Sequence, residues 1–411
     1  MLNWASRFDI FCFMDDCNYN ATHHSFDCLL SVGVKSSVIS NNHPFAKIDA
    51  LMAQKDWKFG HLSFDLKNHF YPLQSKDNPI GFADFFFFVP QHVVSIKDDR
   101  LCIESDNAAC VYESIMDASS MFEESAIDIT IQQRLTKSAY IDKINALKQH
   151  ILRGDCYEIN FCQEFYAEGV AINPVSLFSQ LMQVSPNPFS VLYRNNDQYL
   201  LCASPERFIK KESKRILSQP IKGTAKRDLI DQEQDDFIRK QLQESQKERA
   251  ENVMVVDLVR NDLSRICEKN SVVVDELFNV YSFPQVHQLI STISGQLSDY
   301  VSFSKIIEAL FPMGSMTGAP KHRVLQLIDE YEASSRGLFS GSVGYITKEG
   351  DFDFNVVIRS ILYNSATNYL SYQVGSGITF YSDAEKEWEE CLLKAVAIKK
   401  VLTYSPALTI N

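Results

Sequence analysis

Apolar positions in residues 1–125 fall in short blocks rather than in long periodic runs. Phe82-Ala83-Asp84-Phe85-Phe86-Phe87-Phe88-Val89 predicts a strand buried on both faces, and Trp57 through Asp65 a second strand with a tight bend. From Asn107 to Thr136 the chain turns polar and acidic, with Glu113, Asp117, Glu123, Glu124 and Asp128, as a connection or a short exposed helix would. Beyond it the texture changes. Ile141, Ile144, Leu147, Ile151 and Leu152 recur at helical spacing between Ser138 and Arg153, with Ser138 as the expected N-cap and Gly154 as the stop. Cys156 to Phe165 alternates as a strand does, Pro174 to Val184 reads as a helix, and Phe189–Tyr193 with Tyr199–Ala203 as a hairpin. Two acidic helices are expected at 231–243 and 246–260, a strand at 271–280, and helices at 303–311 and 321–331 around a glycine-rich joint. Three strands follow (339–347, 352–363, 369–380), then one long closing helix (383–402). Strand meanders with helices between them predict an α+β fold with helices layered over sheet.

At 411 residues the chain can bury one very large core or two ordinary ones. The formal net charge of −12 argues against a nucleic-acid partner, because no basic patch offsets it. Lys210-Lys211 with Lys214-Arg215 is the densest basic cluster, and it reads as the end of a hairpin. The ten cysteines form no Cys-x-x-Cys pair and no zinc-finger spacing, which fits small buried residues in a reducing compartment. Asp9, Asp15 and Asp16 interrupt the N-terminus where a signal peptide would be basic and then apolar, and the burst Phe85–Pro90 is too short to span a bilayer. A cytoplasmic protein without a membrane partner is expected.

Five stretches could carry chemistry. Pro220-Ile221-Lys222-Gly223-Thr224 brackets a lysine and a hydroxyl in what reads as a tight turn between sheet-like runs. A lysine enclosed there would have a lowered pKa and act as an amine nucleophile, whereas a loop lysine would reach into solvent. Glu248 and Glu251, and separately Glu387 and Glu390, stand three apart on expected helices, so each pair shares a helix face. Two such faces turned together would suit Mg²⁺, and one alone would be a solvated surface. Met313-Gly-Ser-Met-Thr-Gly-Ala-Pro-Lys321 feeds a helix start suited to an anion, without Walker-loop order. Gly375-Ser-Gly377 permits close backbone approach to a ligand, or a bulge. Arg359, in an apolar strand, needs a carboxylate from a ligand or from the protein; Glu206 could be a general acid or a salt-bridge partner of Arg207 or Lys210.

Taken together, these segments resemble the chorismate-utilising enzyme family over residues 134–405. The matching runs are Gly154-Asp-Cys-Tyr-Glu-Ile-Asn160, Ser204-Pro-Glu-Arg207, Pro220 to Thr224, Arg249-Ala-Glu-Asn252 with Asp257-Leu-Val-Arg-Asn-Asp262, Gly314 to Lys321, Gly341-Ser-Val-Gly-Tyr345, and Gly375-Ser-Gly377 with Glu387-Trp-Glu-Glu390. Gly60-His-Leu-Ser-Phe-Asp65 resembles the family's first domain more loosely. The resemblance implies a layered α/β/β/α sandwich, with residues 1–125 as an N-terminal region and 134–405 as the chorismate-binding catalytic domain. Anthranilate synthases carry alanine where Lys222 stands, and aminodeoxychorismate synthase component I enzymes typically carry lysine. The implied activity is therefore amination of chorismate to 4-amino-4-deoxychorismate, toward p-aminobenzoate and folate.

By the same resemblance, Lys222 attacks C2, Glu206 protonates the departing C4 hydroxyl, and Mg²⁺ is held through Glu248, Glu251, Glu387 and Glu390. Thr224, Thr317, Lys321, Tyr345, Arg359, Gly375 and Gly377 would line the substrate pocket. Ammonia is expected from a separate glutamine amidotransferase subunit, since no Gly-x-Cys-x-Gly elbow occurs in the chain. Two departures stand out: Gln288 occupies the place where many relatives have histidine, with His287 one step earlier, and Gly223-Thr-Ala-Lys-Arg227 differs from the usual Gly-Thr-Arg-Pro-Arg. An anthranilate or isochorismate-type synthase, or a non-catalytic chorismate-binding module, is the alternative.

Overall fold

Strands that are apolar on both faces need a layer on each side, and that requirement shapes the computed structural model, which describes residues 1–19, 23–40, 45–73, 76–118, 129–283 and 286–403. In the strand Gln198–Ser204, Leu200 and Cys202 enter one hydrophobic cluster while Leu201 and Ala203 enter another. In Phe85–Val89 the ring of Phe87 meets Phe303 of an outer helix, while Phe86 meets His61, whose Nδ1 lies 3.1 Å from the Tyr193 hydroxyl of the opposite sheet. Among the described residues two antiparallel sheets result, one of eleven strands and one of ten, with helices on the outer faces. This is the expected α+β layered sandwich.

The first sheet runs in the order Gly318–Ala319, Glu158–Ala167, Tyr369–Ile378, Ser360–Asn364, Gln198–Ser204, Phe189–Asn195, Ile10–Asp15, Cys28–Val32, His92–Lys97 and Arg100–Glu104, with Gln132–Gln133 beside Glu158–Ala167. The second runs Ile221–Lys226, Val286–Gln296, Arg215–Gln219, Arg207–Glu212, Phe352–Asn355, Ser342–Ile346, Lys58–Leu62, Phe85–Val89 and Ser36–Ser40, with Val273–Ser282 beside Val286–Gln296. The helices Lys137–Leu152, Pro174–Val184, Lys321–Tyr331 and Ala384–Lys394 contribute to the cluster outside the first sheet, and Gln246–Ser264 and Phe303–Leu310 to the other. No helix among the described residues is long and apolar enough to cross a membrane.

Several elements differ from the sequence reading for identifiable reasons. The run 352–363 is two strands in different sheets, because the chain crosses the core through buried Val356 and Val357 and turns at Arg359 with φ 51°. An apolar run reads alike whether it pairs or crosses. The closing helix breaks at Ala395 into Ala384–Lys394 and Val396–Leu402. Thr136 rather than Ser138 caps Lys137–Leu152, accepting from the Ala139 amide. Glu158–Ala167 is buried on both faces despite its alternating sequence, since its polar side chains find partners inside. Val286–Gln296, eleven residues long and paired with three strands, is unanticipated because serines, a threonine and a glutamine interrupt its apolar pattern. Glu123, Glu124 and Asp128 of the acidic connection lie outside the described residues; Ala108–Met116 within it is a helix.

Candidate active site

Lys222 lies in the strand Ile221–Lys226, not in a turn. Pairing with Val286–Gln296 slips between Ile221 and Thr224, and Gly223 takes φ 92° in that irregularity. A Cβ at Gly223 would stand 2.9 Å from Glu248 Oε2, so the glycine lets the helix Gln246–Ser264 close over the lysine. Lys222 Nζ lies 2.5 Å from Oε1 of Glu158, which projects from the first sheet. Side-chain exposure of the pair is 10% and 2%. Gly377, opposite Asn160 in the neighbouring strand, completes the space, because a Cβ there would fall 2.7 Å from Glu158 Oε1 and 3.1 Å from Lys222 Nζ. Gly375 serves tight packing instead, its absent Cβ leaving room for Cys162 Sγ. Neither glycine ends a strand.

The lysine pKa is raised, contrary to the lowering expected from enclosure. Burial pulls it down most strongly, but Glu158, Glu251 and Glu206 together outweigh burial. Glu206 is 4% exposed, and burial pushes its carboxyl up to about 7 against the Ser315 hydroxyl, Lys222, the Ile221 amide and Arg359. It is no salt-bridge partner of its neighbours. Arg207 binds Asp353 at 2.9 and 3.1 Å, and Lys210 binds Glu212 at 2.6 Å. Arg359 sits in the field of Glu206 and Tyr19, and no hydrogen bond to its guanidinium exists among the described residues.

The four helix carboxylates converge around an ammonium. Lys247 Nζ is 3.9 Å from both Glu251 and Glu387, one on each helix, and Glu248 and Glu390 also act on it. Buried oxygens of Glu158, Glu251 and Glu387 lack hydrogen-bond partners among the described residues. Burial raises Glu251 to about 7, with Lys222 and Lys247 opposing and Glu158 and Glu248 adding to the rise. Glu390 stays low against burial because Lys394 lies 2.8 Å away. Among the described residues no three acidic, histidine or cysteine side chains close a ready-made metal shell. Oxygen donors left unpartnered on two facing helices nevertheless fit a hard divalent cation such as Mg²⁺.

The remaining residues divide. The glycine-rich joint is stitched onto the Glu158 strand, with Gly318 opposite Ile159, the Asn160 amide donating to Thr317 O, and Thr317 Oγ1 donating to Met313 O at 3.1 Å. Thr224 is exposed and faces Gln288 across the strands. Lys321 is committed to Asp262 at 2.6 Å. Tyr345 lies elsewhere, lining a cavity between the sheets with Phe26 and Asp353 and packing its ring against Trp57. His287 is held by Asp235 at 3.0 Å and Ser282 at 2.9 Å, whereas both amide atoms of buried Gln288 are unpartnered among the described residues.

Residue-by-residue reading misses Glu158 and Arg336. Glu158 had one signal, its place in the run Gly154 to Asn160 that carries the family resemblance. Arg336 is fully buried and binds Glu332, Met316 O and Asn160 O, a convergence visible only in three dimensions.

The family model described as chorismate binding enzyme matches residues 14–400. Aminodeoxychorismate synthase component 1 of Escherichia coli (strain K12) is 39% identical over 271 residues, covering 66% of this chain and 59% of that protein. Its namesake in Bacillus subtilis (strain 168) is 33% identical over 270 residues, covering 66% and 57%. Anthranilate synthase component 1 1 of Haloarcula marismortui is 36% identical over 271 residues, covering 66% and 55%. The chain thus spans less than two thirds of the length of these curated relatives. Among solved structures, anthranilate synthase component I of Streptococcus pneumoniae superposes with a TM-score of 0.81 at 22% identity, covering 94% of this chain and 95% of that one. The menaquinone-specific isochorismate synthase of Escherichia coli gives 0.78 at 18%, covering 98% and 91%; likeness at this level establishes the fold alone.

Proposed function

Because this chain belongs to the chorismate binding enzyme family, we propose that it aminates chorismate to 4-amino-4-deoxychorismate through a covalent bond to Lys222. The observation that carries this reading is a largely enclosed lysine, Lys222, in the same electrostatic neighbourhood as a buried carboxyl, Glu206, which burial raises to about 7. A nucleophile and an acid so placed suit displacement of a hydroxyl from a ring. Lys222 Nζ bonds to C2, the two ring double bonds each move one position, and Glu206 gives its proton so that the C4 hydroxyl leaves as water. Ammonia then bonds to C4, the double bonds return, and the Nζ–C2 bond breaks. Ammonia attacking C2 directly would lead toward anthranilate instead.

Arg359, whose guanidinium has no hydrogen-bond partner among the described residues, is assigned to a substrate carboxylate. Thr317 and Gly377 are assigned to the same substrate site. Glu248, Glu251, Glu387 and Glu390 would hold Mg²⁺, which when bound supplies positive charge opposite the ring carboxylate. The site residues all lie between Glu158 and Glu390, inside the proposed catalytic domain 134–405; strands from the first 104 residues extend both sheets. A cytoplasmic glutamine amidotransferase subunit is the proposed ammonia source, with ammonium salts substituting in the assay.

The test is product identity. Purified protein with chorismate, Mg²⁺ and ammonium should yield 4-amino-4-deoxychorismate by mass; anthranilate as the sole product would overturn the reading. Glu206 must be protonated to act, and its carboxyl titrates at about 7, so turnover should fall as pH rises through that value. Glu206→Gln should lose about 10²–10⁴-fold in kcat and abolish that alkaline limb. A limb unchanged in Glu206→Gln would remove Glu206 from the acid role.

A further inference from the structure

We propose that Glu158 is the base that takes the proton from Lys222, making it a catalytic residue of the site; this rests on the chorismate-amination reading above. The lysine ammonium has no lone pair and cannot attack carbon until a proton leaves. Among the described residues five carboxylates act on it: Glu158 from the strand Glu158–Ala167, Glu206 after Gln198–Ser204, Glu248 and Glu251 from Gln246–Ser264, and Glu390 from Ala384–Lys394. Glu158 is the one with a hydrogen bond to Nζ, at 2.5 Å. Glu206 is committed to the leaving hydroxyl, and the helix carboxylates to the cluster around Lys247.

The surroundings of Glu158 suit the task. Its second oxygen, Oε2, is buried without a hydrogen-bond partner among the described residues, so the carboxyl can take up a proton without breaking another contact. Gly377 leaves the pair unobstructed where any larger residue would press on both side chains. Among the described residues no histidine acts on the lysine. The position where many relatives carry one is Gln288, an amide that does not titrate, and His287 is tied to Asp235 and Ser282.

The protons balance over the cycle. An Nζ–H bond breaks and an O–H bond forms on Glu158; the freed amine bonds to C2 as a secondary ammonium while Glu206 loses its proton to the departing water. Ammonia bonds to C4 and gives a proton to Glu206, Nζ–C2 breaks to release the neutral amine, and Glu158 returns its proton to Nζ.

The test compares wild type, Glu158→Gln and Glu158→Asp with chorismate, Mg²⁺ and ammonium across the neutral and alkaline range, alongside melting temperatures. If Glu158 is the base, Glu158→Gln loses about 10²–10⁴-fold in kcat with KM for chorismate little changed. Relative to wild type its residual rate should rise with pH as hydroxide takes over the proton, against the alkaline fall that loss of the Glu206 proton imposes on both, and Glu158→Asp should recover part of the rate. A residue that merely clamps the ammonium gives the opposite sign, because removing its charge leaves more free amine at neutral pH. A Glu158→Gln rate equal to or above wild type, with the wild-type pH profile, overturns the proposal. Loss in both variants with collapsed melting temperatures and no pH-dependent recovery also overturns it, in favour of a structural role. If wild type itself forms no 4-amino-4-deoxychorismate, the underlying reading fails first and this inference with it.

Discussion

Lys222→Ala is expected to abolish formation of 4-amino-4-deoxychorismate, with a fall of at least about 10³-fold, or about 4 kcal/mol of transition-state stabilisation. The substitution removes the atom that bonds to C2, and ammonia alone cannot reproduce two successive displacements. Lys222→Arg separates charge from nucleophilicity. Its guanidinium keeps a cation beside Glu158, Glu251 and Glu206, but stays protonated and holds its nitrogens in a delocalised plane. It should be as inactive as alanine while folding more stably, since alanine leaves Glu158 buried without its cation. Product assay and melting temperature on the same preparations decide this. An arginine variant with near wild-type turnover would reduce the lysine to a counter-charge.

The largest stability effect is expected at Arg336. Its guanidinium is fully buried and donates to Glu332 Oε1 and Oε2 at 2.7 and 2.9 Å, to Met316 O at 2.7 Å and to Asn160 O at 2.8 Å. Glu332 Oε1 also accepts from the Cys162 amide at 2.8 Å. One ion pair thereby fastens the glycine-rich joint and the segment after Lys321–Tyr331 to the strand that carries Glu158. Arg336→Ala strands a buried carboxylate and two backbone carbonyls at once, so a loss of about 3–5 kcal/mol is expected in denaturant unfolding. Arg336→Lys should recover little, because one ammonium cannot reach the directions that the planar fork spans. A loss under about 1 kcal/mol would mean that water or a rearranged Glu332 satisfies the site.

How far the site could be read along the chain depends on whether each signal is local. Pro174–Val184 and Lys321–Tyr331 match the helices expected of their apolar spacing, because that pattern and their ends are written in neighbouring residues. Val286–Gln296 escapes notice because polar residues on both of its faces, among them Gln288, Ser291 and Thr292, are buried by partners far away in sequence. Arg359 reads as the middle of a strand, although its positive φ marks the crossing between sheets. The carboxylate pairs are legible from their spacing of three, and the structure brings them together with Lys247 between them. Enclosure of Lys222 was also legible, but not the direction of its pKa: that depends on Glu158, sixty-four positions away, and on a helix whose approach Gly223 permits.

The most direct measurement is the mass of the protein after mixing with chorismate and Mg²⁺ in the absence of any ammonia source, followed by acid quench and peptide mapping. A lysine nucleophile requires an adduct of chorismate less one water, confined to the peptide containing Lys222, which disappears when ammonium is added and product forms. Product formation with ammonium but no adduct at any time, or an adduct on another residue, would contradict covalent catalysis by Lys222.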